Sequence, residues 1–111
     1  MSQEQRIAVQ DLRDSPRKNV RYKFKLDHPD FRERECETRD LSLSGAFVEG
    51  KFVEIGPGDT INVEFESSTD KSTKHRFSST VTRVTSEGLG LKFFSLDMDT
   101  YGALLDLTLR N

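Results

Sequence analysis

The chain has 111 residues, 33% of them hydrophobic, with 17 basic side chains against 19 acidic ones for a formal charge of −2. That length supports one small domain with a modest core and excludes a second folded unit. The charge balance supplies no global basic field of the kind that holds a nucleic-acid backbone, so neither DNA nor RNA is expected as a partner.

Residues 1–16 are polar apart from Ile7, Ala8, Val9 and Leu12, and Pro16 ends the stretch. They predict a tail or short helix, with a flexible tail over 1–14 and the folded domain over 15–111. The amino terminus lacks the apolar block of a signal peptide, and no apolar run approaches the roughly 20 residues that cross a bilayer. A cytoplasmic protein without membrane insertion is expected. A lone cysteine, Cys36, can form neither an intramolecular disulfide nor, by itself, a thiolate zinc site, which suits a reducing compartment.

From Arg21 the hydrophobic period becomes two. In "RYKFKL", Tyr22, Phe24 and Leu26 alternate with Arg21, Lys23 and Lys25, as in a half-buried strand. "DHP" turns the chain, and "FRERECETRD" predicts an exposed or edge strand paired with the first. "AFVEG" follows as a short strand, a Gly-Pro-Gly turn as the next break, and "INVEFE" as a strand with Ile61, Val63 and Phe65 on one face. Beyond a polar loop at 67–73, "KHRFSSTVTRVT" and "SEGLGLKFF" predict two more strands. Short strands without intervening helices imply antiparallel pairing closed into a barrel or sandwich. Eight Phe and two Tyr imply an aromatic-rich core. From Leu96 the period changes again: Tyr101, Leu104, Leu105 and Thr108 fall at helical spacing, with Asp97 or Asp99 placed to favour the helix start. The fold class read from these elements is all-β, an antiparallel barrel with one C-terminal α-helix packed on it.

Two short patterns stand apart from this scaffold. Arg17 and Arg21 are four residues apart just before the first strand, but Arg13 and Arg17 share that spacing, so it carries little alone. Asp40, Ser42 and Gly45 form an Asp-x-Ser-x-x-Gly stretch that composition alone would produce well under once in a chain of this length. Asp, Ser and Gly are also ordinary turn residues, with Gly supplying positive φ. By offset on an extended chain, Asp40 and Ser42 share one face while Leu41 and Leu43 point to the other.

With "GLGLKF" at 88–93 as a third element, the ordered set resembles the PilZ domain family, receptors for the bacterial second messenger cyclic di-GMP, over about residues 15–109. The resemblance implies a six-stranded antiparallel β-barrel closed by a C-terminal helix, and Arg17, Arg21, Asp40, Ser42 and Gly45 as ligand-binding residues. It also implies a loop, carrying Arg17, that wraps the ligand against the barrel and changes how the domain meets a protein partner. The chemistry agrees. A cyclic dinucleotide presents two phosphodiesters and two guanines; arginine's planar fork chelates phosphate or guanine O6 and N7 and stacks on bases. A carboxylate at Asp40 can accept from guanine N1 and N2, Ser42 can add a hydrogen bond, and Gly45 lets backbone approach.

Arg39, next to Asp40, is the first additional candidate; Arg32 and Arg34 are read as solvated strand charges. Phe47 is the one aromatic left open to a role outside the core. His28 and His75 lack metal-ligand spacing and are expected at the surface, and Cys36 is expected as a small filler. No catalytic constellation is found, and neither a metal nor a cofactor is expected. The expected function is a non-catalytic receptor for cyclic di-GMP acting on a protein effector. The alternative is an adaptor of the same fold that binds no nucleotide.

Overall fold

The computed structural model describes residues 19–68 and 72–109. The expected tail, with Arg17, lies outside them. Six strands follow in order: β1 (Lys23–His28), β2 (Arg32–Leu41), β3 (Gly45–Glu49), β4 (Thr60–Glu66), β5 (Lys74–Val84) and β6 (Gly88–Phe94). A single helix, α1 (Met98–Leu109), ends the described chain.

All strand pairs are antiparallel, and the order β1-β2-β3-β6-β5-β4 closes into a barrel through β1 and β4. The second strand is therefore not an edge. It pairs with β1 as expected, but β3 takes its other side, and Cys36 and Thr38 turn inward between charged neighbours. The first strand starts two residues later than its pattern suggests. Arg21 and Tyr22 precede β1, where Tyr22 N–H donates to Thr38 Oγ1 (2.9 Å), Thr38 N–H to Tyr22 O (2.8 Å) and Thr38 Oγ1 to Val20 O.

The period-two faces behave as alternation dictates. Phe24, Leu26, Ile61, Val63, Phe65, Phe77, Val81, Leu89, Leu91 and Phe93 fill the barrel. Four phenylalanines form its aromatic centre, with ring centroids 4.7 Å apart for Phe77 and Phe93 and 5.6 Å for Phe24 and Phe65. Cys36, opposite Phe24, is buried among them as the small filler, and burial pushes its thiol above the usual range.

Of the two candidate caps for α1, Asp97 is the one used. Its Oδ1 accepts from Thr100 N–H at 2.7 Å and its carbonyl from Tyr101 N–H at 2.9 Å. The Thr100 bonds hold the Asp97 carboxyl below its ordinary range. The inward face of α1 is rotated from the expected one: Thr100, Leu104, Leu107 and Thr108 are buried, whereas Tyr101 and Leu105 are half-buried. Both rows have helical spacing, and contact with the barrel selects between them. His28 is also more enclosed than expected. It stacks on Phe31 at 5.4 Å, and its Nδ1 accepts from Asp30 N–H at 3.1 Å.

Candidate functional site

The outer wall of the barrel carries the polar cluster. On β2 the register passes from Thr38 opposite Val48 to Asp40 opposite Phe47, so Arg39 is the extra residue of a bulge. A second irregularity lies across the wall, where Val81 faces Leu91 but Arg83 faces Gly90. Between them runs one row through four strands: Asp40 on β2, Phe47 on β3, Gly90 on β6 and Arg83 on β5.

Phe47 is buried, 3% exposed, yet it is not part of the core cluster, because alternation sends Ala46 and Val48 inward. Two guanidiniums shield it instead. The Cζ of Arg39 lies 4.6 Å from its ring centre and that of Arg83 5.4 Å. The glycines of "GLGLKF" make this possible. A Cβ on Gly90 would meet Thr82 Oγ1 at 2.9 Å and Arg83 Cγ at 3.0 Å. One on Gly88 would lie 1.9 Å from Val48 O and 3.0 Å from the Phe47 ring.

Arg21 reaches the same wall because the Thr38 hydrogen bonds fasten its segment to β2. It donates from Nη1 and Nη2 to the two oxygens of Glu49, at 3.0 and 3.3 Å, and from Nη1 to Glu37 at 3.2 Å. Arg39 donates from Nε to Glu49 Oε2 at 3.3 Å, and its Nη2 lies 2.9 Å from Glu87 Oε1. Glu49 is thus shared by two guanidiniums, and its carboxyl is held below the usual carboxylate range, chiefly by Arg21 and then by Arg39. Arg21 is raised mainly by Glu49, and Arg39 by Glu87 and then Glu49.

Asp40 is half-buried on this wall, but Ser42 does not stand beside it. The strand ends at Leu41, and the chain folds into a turn in which Ser42 is 1% exposed. Ser42 Oγ accepts from Ser44 N–H (3.2 Å) and Gly45 N–H (3.1 Å), while Ser42 N–H donates to Gly45 O (2.9 Å). Gly45 opens β3 in extended form opposite Lys92. Among the described residues the positive-φ glycines are Gly50 and Gly58, so the turn does not use Gly45 for that purpose. Thr85 builds a matching turn, its hydroxyl accepting from Glu87 N–H (3.0 Å) and Gly88 N–H (3.2 Å), which sets Glu87 beside Arg39.

Of the expected residues that are described, Arg21, Arg39 and Asp40 share one outer wall, whereas Ser42 and Gly45 form the turn between β2 and β3. Arg32 and Arg34 do not join the Arg21 and Arg39 cluster. Arg34 covers the Phe52 ring at 4.3 Å, with its guanidinium beside Gly50. Sequence reading missed Glu37, Glu49, Arg83 and Glu87. Glu37 and Glu87 stand next to the motifs in sequence but gave no signal there, whereas Glu49 and Arg83 are brought to the wall by strand pairing. A groove of about 500 Å³ adjoins the cluster on the β1 and β4 side, with Arg21 on its rim. Among the described residues no group of three or more His, Cys, Asp or Glu is arranged to hold a metal ion. No described helix is long and apolar enough to cross a membrane.

Comparison with known proteins gives the same assignment as the motifs. The family model for the PilZ domain matches residues 11–110. No curated protein matches the chain. Among solved structures, the crystal structure of the PilZ domain of CeSA from a cellulose-synthesizing bacterium superposes with a TM-score of 0.65 at 16% identity. That match covers 87% of this chain and 100% of the other. At that identity the likeness concerns the fold, and it bears out the six-stranded barrel with a C-terminal helix.

Proposed function

The chain belongs to the PilZ domain family, whose members are in general receptors for cyclic di-GMP, and from that premise we propose that it is a non-catalytic cyclic di-GMP receptor. The observation that carries this reading is the convergence of Arg21 and Arg39 beside the Asp40-x-Ser42-x-x-Gly45 stretch on one outer wall.

Arg21, with Arg17 from the preceding segment, chelates phosphodiester oxygens through planar forks. Asp40 accepts from guanine N1 and N2. Ser42 acts through the turn it builds, which sets the approach of Asp40 and the Gly45 backbone to a base. Arg39 and Arg83, laid on Phe47, present guanidinium planes on which a guanine can stack. The segment bearing Arg17 closes over the bound ligand, and this change is what a protein effector reads.

A second reading has one observation in its favour. Donors of Arg21 are already satisfied by Glu37 and Glu49 within the chain, which suits an adaptor that binds a protein and no nucleotide. Titration calorimetry with cyclic di-GMP, with GTP as the control, separates the two. Saturable heat with cyclic di-GMP alone, lost in Arg21→Ala, is the receptor's result; no heat from either nucleotide removes the receptor and leaves the adaptor.

A further inference from the structure

The row of charge around the motif arginine is not basic. Arg21 and Arg39 contribute two positive charges, and Glu37, Glu49 and Glu87, which they contact, contribute three negative ones. These five side chains carry a net charge of −1, which Lys23, Arg83 and Asp40 on the same wall bring to zero. A ligand with two phosphodiester anions cannot simply settle on such a surface. Each phosphate oxygen that takes a guanidinium N–H must take it from a carboxylate.

Glu49 is the carboxylate in question. It alone contacts both arginines, presents both oxygens to Arg21, and is the least exposed of the three acids, at 33% for its side chain against 48% and 65% for Glu37 and Glu87. We infer that Glu49 is an internal surrogate for the ligand's phosphate: it occupies the arginine pair in the unliganded receptor, and the dinucleotide binds by replacing it. This inference rests on the receptor reading above and names what sets the affinity of that site.

Two opposing effects of Glu49 have to be weighed. By pairing with Arg21 it holds the guanidinium in place and lowers the ordering cost of binding. By remaining close after displacement, it repels the incoming phosphates. Arg21 is more than half exposed, and pairs of exposed side chains restrain one another weakly. Breaking that pair and the repulsion that remains afterwards both oppose binding, whereas only the ordering effect favours it. Repulsion therefore decides the sign, and removing the charge of Glu49 tightens binding.

The test is calorimetric titration of cyclic di-GMP into wild type, Glu49→Gln and Glu87→Gln. Gln keeps the size and one acceptor oxygen of Glu, so the arginines retain a partner. The expected result is an affinity about fivefold higher for E49Q, with a smaller gain for E87Q, whose carboxylate contacts Arg39 but not Arg21. In wild type labelled with ¹³C, the Glu49 carboxyl resonance shifts on saturation as its arginines leave. Unchanged or weaker binding by E49Q, or a Glu49 resonance indifferent to ligand, overturns the inference while leaving the receptor reading intact. Binding by E49Q alone supports the inference in its strongest form. Absence of binding in both wild type and E49Q removes the receptor reading and the inference together.

Discussion

Arg21 and Glu49, 28 residues apart in sequence, meet through the two terminal guanidinium nitrogens and both carboxylate oxygens, at 3.0 and 3.3 Å. The contact joins the segment ahead of the barrel to the end of β3, and Arg39 shares its acceptor. The motif arginine is thus held against the wall where the Asp40 stretch begins.

Replacing Arg21 by alanine is expected to lower cyclic di-GMP affinity by about 10- to 100-fold, the loss of charge-assisted hydrogen bonds to an anion. Because the side chain is exposed, the far-UV circular dichroism of the variant should match wild type. Undiminished affinity would remove Arg21 from the site.

Phe47→Leu keeps an apolar side chain on the outer wall but takes away the ring under Arg39 and Arg83. Loss of stability of about 1–2 kcal/mol is expected in urea unfolding, with weaker binding because both guanidinium planes lose their support. A variant that binds like wild type would show that the stack has no part in recognition.

Gly88→Ala sets a methyl 1.9 Å from the Val48 carbonyl oxygen, a backbone atom that cannot swing aside. The β3 and β6 pairing must spread, at a cost of about 1–3 kcal/mol, seen as a lower thermal midpoint.

Acid should weaken the fold in a definite direction. Asp97, held down by its Thr100 hydrogen bonds, and Glu49, held down by Arg21 and Arg39, both have carboxyls depressed in the folded chain. The unfolded chain takes up protons at the ordinary values, so their stabilisation is complete above those values. It declines below about pH 4 as pH falls toward the folded ones. Urea midpoints measured from pH 7 to pH 3 should fall at the acid end, and less steeply in Asp97→Asn.

Cys36 is 7% exposed, and burial raises its thiol. It should react with a thiol reagent only under denaturing conditions. Rapid labelling of the native protein would contradict the barrel interior described above.

The strand faces were legible because alternation reports burial directly: Phe24, Leu26, Ile61, Val63 and Phe65 all point inward. The helical face was legible only to within one residue, since the row of Tyr101 and Leu105 and the row of Thr100 and Leu107 satisfy the same spacing until contact chooses. Ser42 was misplaced because offset arithmetic assumes that the strand continues, whereas it stops at Leu41. Of the acids around Arg21 and Arg39, Glu37 alone lies near either of them along the chain. Glu49 and Glu87 become neighbours only through strand pairing, Glu49 lying opposite Gly88, and no local pattern encodes a pairing between distant strands.

Closure of the wall through β1 and β4 gives every strand two neighbours, but the pairing is incomplete on β2, where Arg32–Glu37 pair with β1 while β3 joins only from Thr38 onward. A protein that docks on this domain by adding a strand of its own finds only such short stretches, not a full free edge. Elsewhere on the barrel, contact falls to the side chains and loops of the outer wall, the same parts that the proposed ligand would touch.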